Sequence, residues 1–174
     1  VVFITKEGRP DIEGVKKVEF RVKGDVDKGT HKYLINISRA ILQGQEVWRV
    51  CNKLKKQGFV PDVICAHPGW GDALFIKEIY GDVPLLNYIE FYYRQFGADM
   101  HFDQSEEVKP DNLARVRIKN SNNLINLEAC DWGISPTFWQ WSLNPKGLRD
   151  KISVLHEGID TDHIAPTDIT EMQI

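Results

Sequence analysis

The sequence lacks the features of two common functional classes. No apolar run approaches the roughly 18 residues needed to cross a bilayer, so we expect no membrane span, and any membrane association would be peripheral. No basic stripe is present to neutralise phosphates, and the formal net charge is −3. This charge distribution argues against a general nucleic-acid binder.

Cysteine is scarce, and cofactor fingerprints are missing. Cys51, Cys65 and Cys130 lie far apart in apolar stretches, which predicts small buried side chains without disulfides, in a reducing cytoplasm. The segment 69–71 (Gly-Trp-Gly) is neither G-x-G-x-x-G nor a Walker loop, so we expect no cofactor. The segment 101–103 (HFD) lacks a third ligand, so we expect no metal site.

Apolar segments alternate between strand and helix patterns along most of the chain. We predict strands at residues 1–5, 15–22, 63–66, 84–93 and 151–155, and a short strand or turn at 134–137. We predict helices at residues 32–57, 72–80, 110–130 and 136–143. Gly44 lies on the apolar face of the first helix and predicts a close neighbour there. This alternation predicts an α/β, Rossmann-like open parallel sheet flanked by helices.

The turn between the third and fourth predicted strands is unusual. His67 directly follows a strand, and Gly69 and Gly71 let the backbone approach a ligand. A helix starting near Asp72 would offer free N–H groups to an anion or a sugar hydroxyl. Glu90 lies inside an apolar run at the end of the next strand, where an unpaired carboxylate is costly. We therefore expect His67 and Glu90 at the same sheet edge.

Each of these residues also has a purely structural interpretation. His67 would cap the following helix or bond a carbonyl, and Glu90 would pair with Arg94. Asp72 would be the N-cap of the predicted helix, and Trp70 would simply pack.

Three segments together resemble a known family. They are HPGWGDALFIKEIYGDVPLLNYIEFYY at 67–93, LEACDWGISPTFWQWSLNP at 127–145 and KISVLHEGID at 151–160. They are similar to the amino-terminal half of bacterial family 4 glycosyltransferases of the GT-B architecture, and the resemblance covers roughly residues 1–161.

The resemblance implies a two-domain enzyme of which this chain is the acceptor side. Residues 1–159 would form the Rossmann-like acceptor domain, lacking its first strand and helix, because the chain opens directly on the strand-like VVFIT. Residues 160–174 would be a linker toward an absent carboxyl-terminal domain that binds the nucleotide-sugar donor. Such enzymes generally retain the anomeric configuration and need no metal. The fragment alone would be inactive.

The resemblance also implies roles for individual residues. Glu90 matches a strand end where many relatives carry a histidine that approaches the transferred sugar, and here it would bind a hydroxyl. With His67 it forms the candidate catalytic pair. The matching segments supply the candidate substrate-binding residues, which are Pro68, Gly69, Trp70, Gly71, Asp72, Tyr92, Ser135, Thr137, Gln140, Glu157 and Gly158.

Some of these residues have a second interpretation or a defined backbone requirement. Ser135 and Thr137 would either cap the helix that follows them or reach the cleft. Glu157 and Gly158 match the turn between the domains, where Gly158 would take a positive φ.

The function predicted from the sequence is transfer of a sugar to an acceptor hydroxyl. The acceptor would be a glycan, a lipid or another hydroxyl compound, and the donor would be a nucleotide sugar held by the missing domain. Two alternatives stay open: half of a nucleotide-sugar epimerase, and a non-catalytic binding module of flavodoxin-like shape.

Overall fold

The fold contains two parallel sheets. The computed structural model describes residues 1–103, 105 and 107–164, so residues 165–174 of the predicted linker lie outside the described residues. Strand β1 (Val2–Lys6) pairs with β2 (Lys16–Phe20) in a two-stranded sheet. The strands β3 (Ile64–Ala66), β4 (Leu85–Tyr88), β5 (Trp132–Ser135) and β6 (Ile152–Val154) form a second sheet in that order. All pairs are parallel, which confirms the predicted α/β class.

Four α-helices lie within the described ranges. They are α1 (Ile35–Lys56), α2 (Pro110–Lys119), α3 (Ser121–Ala129) and α4 (Phe138–Leu143). Two 3₁₀ segments, Pro68–Trp70 and Lys146–Lys151, complete the connections. Among the described residues, no helix is both long enough and apolar enough to span a bilayer.

The helix predicted at residues 72–80 is wrong, because this segment forms successive turns. Most of its backbone N–H bonds reach three residues back, as in Ile76 to Ala73 (3.3 Å) and Ile79 to Ile76 (3.0 Å), and only the last, from Tyr80 to Ile76 (2.9 Å), reaches four back. Ala73, Ile76 and Ile79 are all buried in one core cluster. Their spacing of three residues suits 3₁₀-type turns, in which positions i and i+3 eclipse each other, rather than an α-helix.

The predicted helix at residues 110–130 is divided at Asn120. Asn120 is buried, its Oδ1 accepts from the backbone N–H of Tyr93 (2.9 Å), and its Nδ2 donates to the carbonyl of Tyr93 (2.7 Å). The side-chain amide of Asn120 therefore bonds both backbone groups of Tyr93, beyond the end of β4. A neighbouring strand would make the same kind of hydrogen bonds. The fourth strand is shorter than predicted, and Glu90 lies two residues after it.

Two hydrophobic clusters stabilise the fold. The first joins β2, α1 and the turns after Gly71, through Phe20, Val47, Cys51, Ala73, Ile76, Ile79 and Tyr80. The second joins the end of β4, α3 and β6, through Ile89, Leu127 and Ile152. Cys51 and Cys130 are buried as predicted, but Cys65 is exposed, since β3 is the edge strand of its sheet.

Gly44 and Gly71 let α1 lie directly against the loop after β3, as predicted for Gly44. A Cβ on Gly44 would come within 2.6 Å of the Gly71 carbonyl oxygen. Gly71 has φ +101°, and a Cβ there would lie 2.2 Å from the Ala40 carbonyl oxygen. Both positions therefore require glycine, and Gly71 requires it for two independent reasons.

We predict that Gly71→Ala lowers the free energy of unfolding by roughly 2–4 kcal/mol, since it adds a backbone clash to the strain of a positive φ. The matched control is Gly58→Ala, because Gly58 has φ +85° with open space around it. The control should cost only about 1 kcal/mol. Urea denaturation measures both values, and equal losses would contradict the close contact with α1.

Candidate functional site

Four polar side chains meet at the carboxyl edge of the four-stranded sheet. His67 directly follows β3, Tyr88 ends β4, Glu90 lies two residues further on, and Glu157 follows β6. The Nε2 atom of His67 lies 3.2 Å from Oε2 of Glu90. The hydroxyl of Tyr88 donates to Oε1 of Glu157, and the rings of His67 and Tyr88 lie 6.1 Å apart. The edge therefore carries two carboxylates, each held by a neighbouring donor.

Both ring nitrogens of His67 have partners, which assigns its tautomer. Nδ1 accepts from the backbone N–H of Gly69 at 3.1 Å and so caps the 3₁₀ turn that follows. Because Nδ1 accepts, the proton of the neutral ring lies on Nε2, which donates to Glu90. The capping interpretation of His67 is therefore confirmed for this turn, alongside the pairing with Glu90.

One carboxylate oxygen of Glu90 has no partner in the part of the chain that the structure describes. Its side chain is 53% exposed, and Oε2 is held by His67. The alternative pairing with Arg94 is not seen, because the guanidinium group donates to the Asn144 carbonyl and lies over the Tyr92 ring instead. The second oxygen of Glu90 is thus available to a hydroxyl group at the sheet edge.

The loop after β3 presents an aromatic face next to this pair. Trp70 is 69% exposed, so the simple packing interpretation is wrong for it. Pro68 is buried, and its carbonyl accepts from the Asn122 amide at 2.6 Å. The same amide reaches the Gly69 carbonyl at 3.1 Å, which ties the loop to α3.

Asp72 is not a helix N-cap, because no helix begins there. Its Oδ1 accepts from Nε2 of Gln43 on α1 at 2.8 Å. Burial raises the pKa of the Asp72 carboxyl, and the Gln43 hydrogen bond and the charges of Lys6 and His67 lower it in part. A largely desolvated carboxylate beside an exposed loop is typical of functional sites.

Three asparagines hold the loops at this edge, and we refer to them as the asparagine row: Asn120, Asn122 and Asn123. All are buried. Asn122 bonds the loop after β3, and Asn123 donates to the Phe91 carbonyl at 3.2 Å. Because Asn120 pairs with Tyr93, the row holds both the segment that follows His67 and the segment that follows Glu90.

A second turn repeats the geometry around His67. Nδ1 of His156 accepts from the backbone N–H of Gly158 at 3.0 Å, as Nδ1 of His67 does from Gly69. Gly158 has φ +80°, which confirms the predicted positive φ. Two parallel strands are therefore each followed by a His-x-Gly turn. Pro68 and Glu157 are the middle residues of these turns.

The remaining predicted site residues are held in other ways. Tyr92 packs against the second cluster, and Ser135 is fully buried in β5 with no partner for its Oγ among the described residues. Thr137 caps α4, since its Oγ1 accepts from the Gln140 N–H at 3.2 Å and donates to the Gln140 side chain at 2.7 Å. The capping interpretation is confirmed for Thr137, but Ser135 does not cap.

A cleft of about 390 Å³ adjoins the His67 loop. Gly69 and Trp70 line its side nearest the pair, and Tyr93 rather than Tyr92 contributes the aromatic ring from the next segment. The volume is within the usual range for small-molecule sites.

Comparison with known families decides the assignment. Residues 1–164 match the model of the glycosyl transferase family 4 group. The chain belongs to this family. No curated protein matches it. The parallel sheet and the polar groups at its carboxyl edge are consistent with a glycosyltransferase domain, because open α/β sheets bind ligands at that edge.

Some features of this candidate site in the glycosyltransferase domain were not predicted from the sequence. Tyr88 was missed, although it shares the alternation of an extended segment with Glu90 and so projects toward the same side. The asparagine row was missed because Asn122 and Asn123 replace apolar residues on the buried face of α3, which Asn120 precedes. Asparagine carries no hydrophobic signal, so the periodicity of residues 121–129 conceals its burial.

We predict that Asp72→Asn stabilises the fold at pH 7 relative to the parent chain. Because the pKa of the Asp72 carboxyl is raised in the folded state, its contribution to the free energy of unfolding is complete below the unfolded pKa. That contribution is lost as the pH rises through the folded pKa. The gain should therefore shrink toward pH ~3.5, below the unfolded pKa of about 3.9. Urea denaturation of both proteins at the two pH values measures it.

The control for this measurement is Asp62→Asn, because Asp62 is exposed. Its effect should stay within about 0.5 kcal/mol at pH 7. A loss of stability in Asp72→Asn at pH 7 would show that the carboxylate is favourably solvated.

Proposed function

We propose that this chain forms the acceptor-binding side of a glycosyltransferase, which moves a sugar from a nucleotide-sugar donor to an acceptor hydroxyl. The observation that carries the proposal is the 3.2 Å contact between His67 and Glu90 at the carboxyl edge of the parallel sheet. Membership in the glycosyl transferase family 4 group supplies the reaction class.

Glu90 is the residue that engages the acceptor hydroxyl. Its Oε2 is held by the Nε2–H of His67, and its other oxygen accepts a hydrogen bond from the hydroxyl. The hydroxyl oxygen bonds to the anomeric carbon on the face from which the diphosphate departs, as retention requires, and its proton passes to the carboxylate. The bond from that carbon to the nucleotide diphosphate breaks, and the diphosphate leaves with the electron pair.

His67 acts as a positioning residue in this scheme. Because its Nδ1 is occupied by Gly69, the ring cannot accept the hydroxyl proton there without breaking the turn. The ring fixes the carboxylate geometry, and Trp70 provides a face on which a sugar ring can stack.

In this proposal, the donor is bound by a second domain. The chain beyond residue 159 connects the two domains. Retention of the anomeric configuration and cytoplasmic location stay predictions from the family resemblance. The acceptor hydroxyl and the donor then meet in a closed interdomain cleft, where water is excluded.

We expect His67→Ala and Glu90→Ala each to lower turnover by at least about ten-fold in the full-length protein. Glu90→Gln should lower kcat more than it raises KM, since the amide still binds the hydroxyl but does not take its proton. Release of nucleotide diphosphate from UDP- and GDP-sugars with acceptor present measures turnover.

His163→Ala is the matched control, because His163 forms a similar pair with Asp160 (2.9 Å) on an exposed turn. It should leave turnover unchanged. Parent-like rates in both His67→Ala and Glu90→Ala would show that the pair is structural. A donor epimerised without transfer would support the epimerase alternative, and no turnover with any donor would support the binding module.

We further expect a polypeptide of residues 1–174 not to bind nucleotide sugars tightly, since the donor site belongs to the second domain. Calorimetric titration with UDP- and GDP-sugars tests this. Micromolar affinity would contradict the proposed division of labour between the domains.

A further inference from the structure

The cleft beside the His67 loop is lined by three cationic side chains from separate parts of the chain. Lys6 ends β1, Arg39 lies on α1, and Lys119 ends α2. We refer to this site as the basic cleft. The chain as a whole carries a net charge of −3, so a convergence of three cations is a local feature that the composition does not explain.

Lys119 is a half-buried cation at this site. Its Nζ lies 3.4 Å from the centre of the Tyr93 ring, and both residues line the cleft. Burial lowers the pKa of Lys119, and nearby Arg115 lowers it further, while Asp99 raises it. Among the described residues, no hydrogen bond or ion pair reaches its ammonium group, so the Tyr93 ring is its direct contact and Asp99 acts on it only at longer range.

The charged side chains that line the cleft leave positive charge over, because three cations and one carboxylate line it. Asp25 is that carboxylate and lies 3.6 Å from the Arg39 guanidinium as an exposed pair. Asp72 and Asp99 do not line the cleft, although the charge of Lys6 lowers the pKa of Asp72 and Asp99 raises the pKa of Lys119. Lys6, like Lys119, has no hydrogen bond or ion pair to its ammonium group within the part of the chain that the structure describes.

The neutral lining is suited to a sugar. Trp70 offers an exposed aromatic face, and side-chain amides of Gln43, Asn122 and Asn123 line the wall. Their N–H groups bond protein acceptors, but among the described residues the amide oxygens of Gln43 and Asn123 accept no hydrogen bond. Amides both donate to and accept from hydroxyl groups, and apolar faces of pyranose rings stack on tryptophan. A purely inorganic anion would not need these groups, and a neutral sugar would not need the cations.

We propose that the basic cleft binds an anionic sugar, so that the acceptor carries a phosphate or carboxylate group close to the reacting hydroxyl. The proposal rests on the proposed acceptor-side role of this chain. Lys6 and Lys119 contact the anion, and Trp70 contacts the sugar ring at the side nearest His67 and Glu90. The anion thereby sets which hydroxyl faces Glu90, because a charged group fixed at one end of the cleft orients the ring at the other end.

Binding of three small probes to the full-length protein tests this proposal. The probes are glucose 6-phosphate, glucuronate and glucose, titrated by calorimetry or NMR. We expect at least one anionic probe to bind about ten-fold or more tightly than glucose. Its affinity should fall as salt is added, since screening weakens charge contacts. The stronger of the two anionic probes identifies phosphate or carboxylate as the recognised group.

The double variant Lys6→Gln/Lys119→Gln should lose about ten-fold or more in affinity for that anionic probe and little for glucose. The matched control is Lys53→Gln/Lys56→Gln, which removes the same charge from exposed positions in the last turn of α1. The control should bind as the parent does, and circular dichroism should show both variants folded.

Three results would overturn the proposal. They are equal affinity for glucose and the anionic probes, parent-like anion binding by Lys6→Gln/Lys119→Gln, and no saturable binding of either anionic probe at tens of millimolar. These binding measurements do not depend on turnover. Loss of anion binding in this variant together with parent-like turnover in His67→Ala and Glu90→Ala would separate the cleft from the proposed reaction. Parent-like anion binding in this variant, together with lost turnover in His67→Ala and Glu90→Ala, would support the proposed reaction and contradict the anionic acceptor.

Discussion

The asparagine row is the constraint on which the candidate site depends. The loop after β3 and the segment from Glu90 onward both run beyond the sheet edge, where no strand of the described residues pairs with their backbone. An unpaired buried carbonyl or N–H costs roughly 1–3 kcal/mol, and the row supplies partners for four such carbonyls and one N–H. The asparagines at the break between α2 and α3 thereby position both His67 and Glu90.

The contact between α1 and the His67 loop is a second constraint of the same kind. Gly44 and Gly71 bring two backbones together, and Gln43 on the same helix bonds Asp72. The loop is therefore held from one side by α1 and from the other by α3. A loop held in this way keeps its side chains in one geometry, which the proposed transfer between two bound substrates would require.

The candidate site divides into a reacting part and a recognising part that share one loop. His67 and Glu90 lie at the sheet edge, and the basic cleft begins on the other side of Gly69 and Trp70. Family membership assigns glycosyl transfer to the chain as a class of reaction. In the proposal above, the cations and the tryptophan of the cleft select which sugars bind at that edge.

The sequence alone was enough to predict the α/β class, the parallel strands and the meeting of His67 with Glu90, because strand–helix alternation and strand ends are local signals. It was also enough for Gly44 and Gly158, where only glycine suits the backbone. The tertiary structure decided the rest: the turns at 72–80, the break at Asn120, and the convergence of Lys6 and Lys119. These depend on contacts between residues far apart in the chain, and local periodicity carries no record of such contacts.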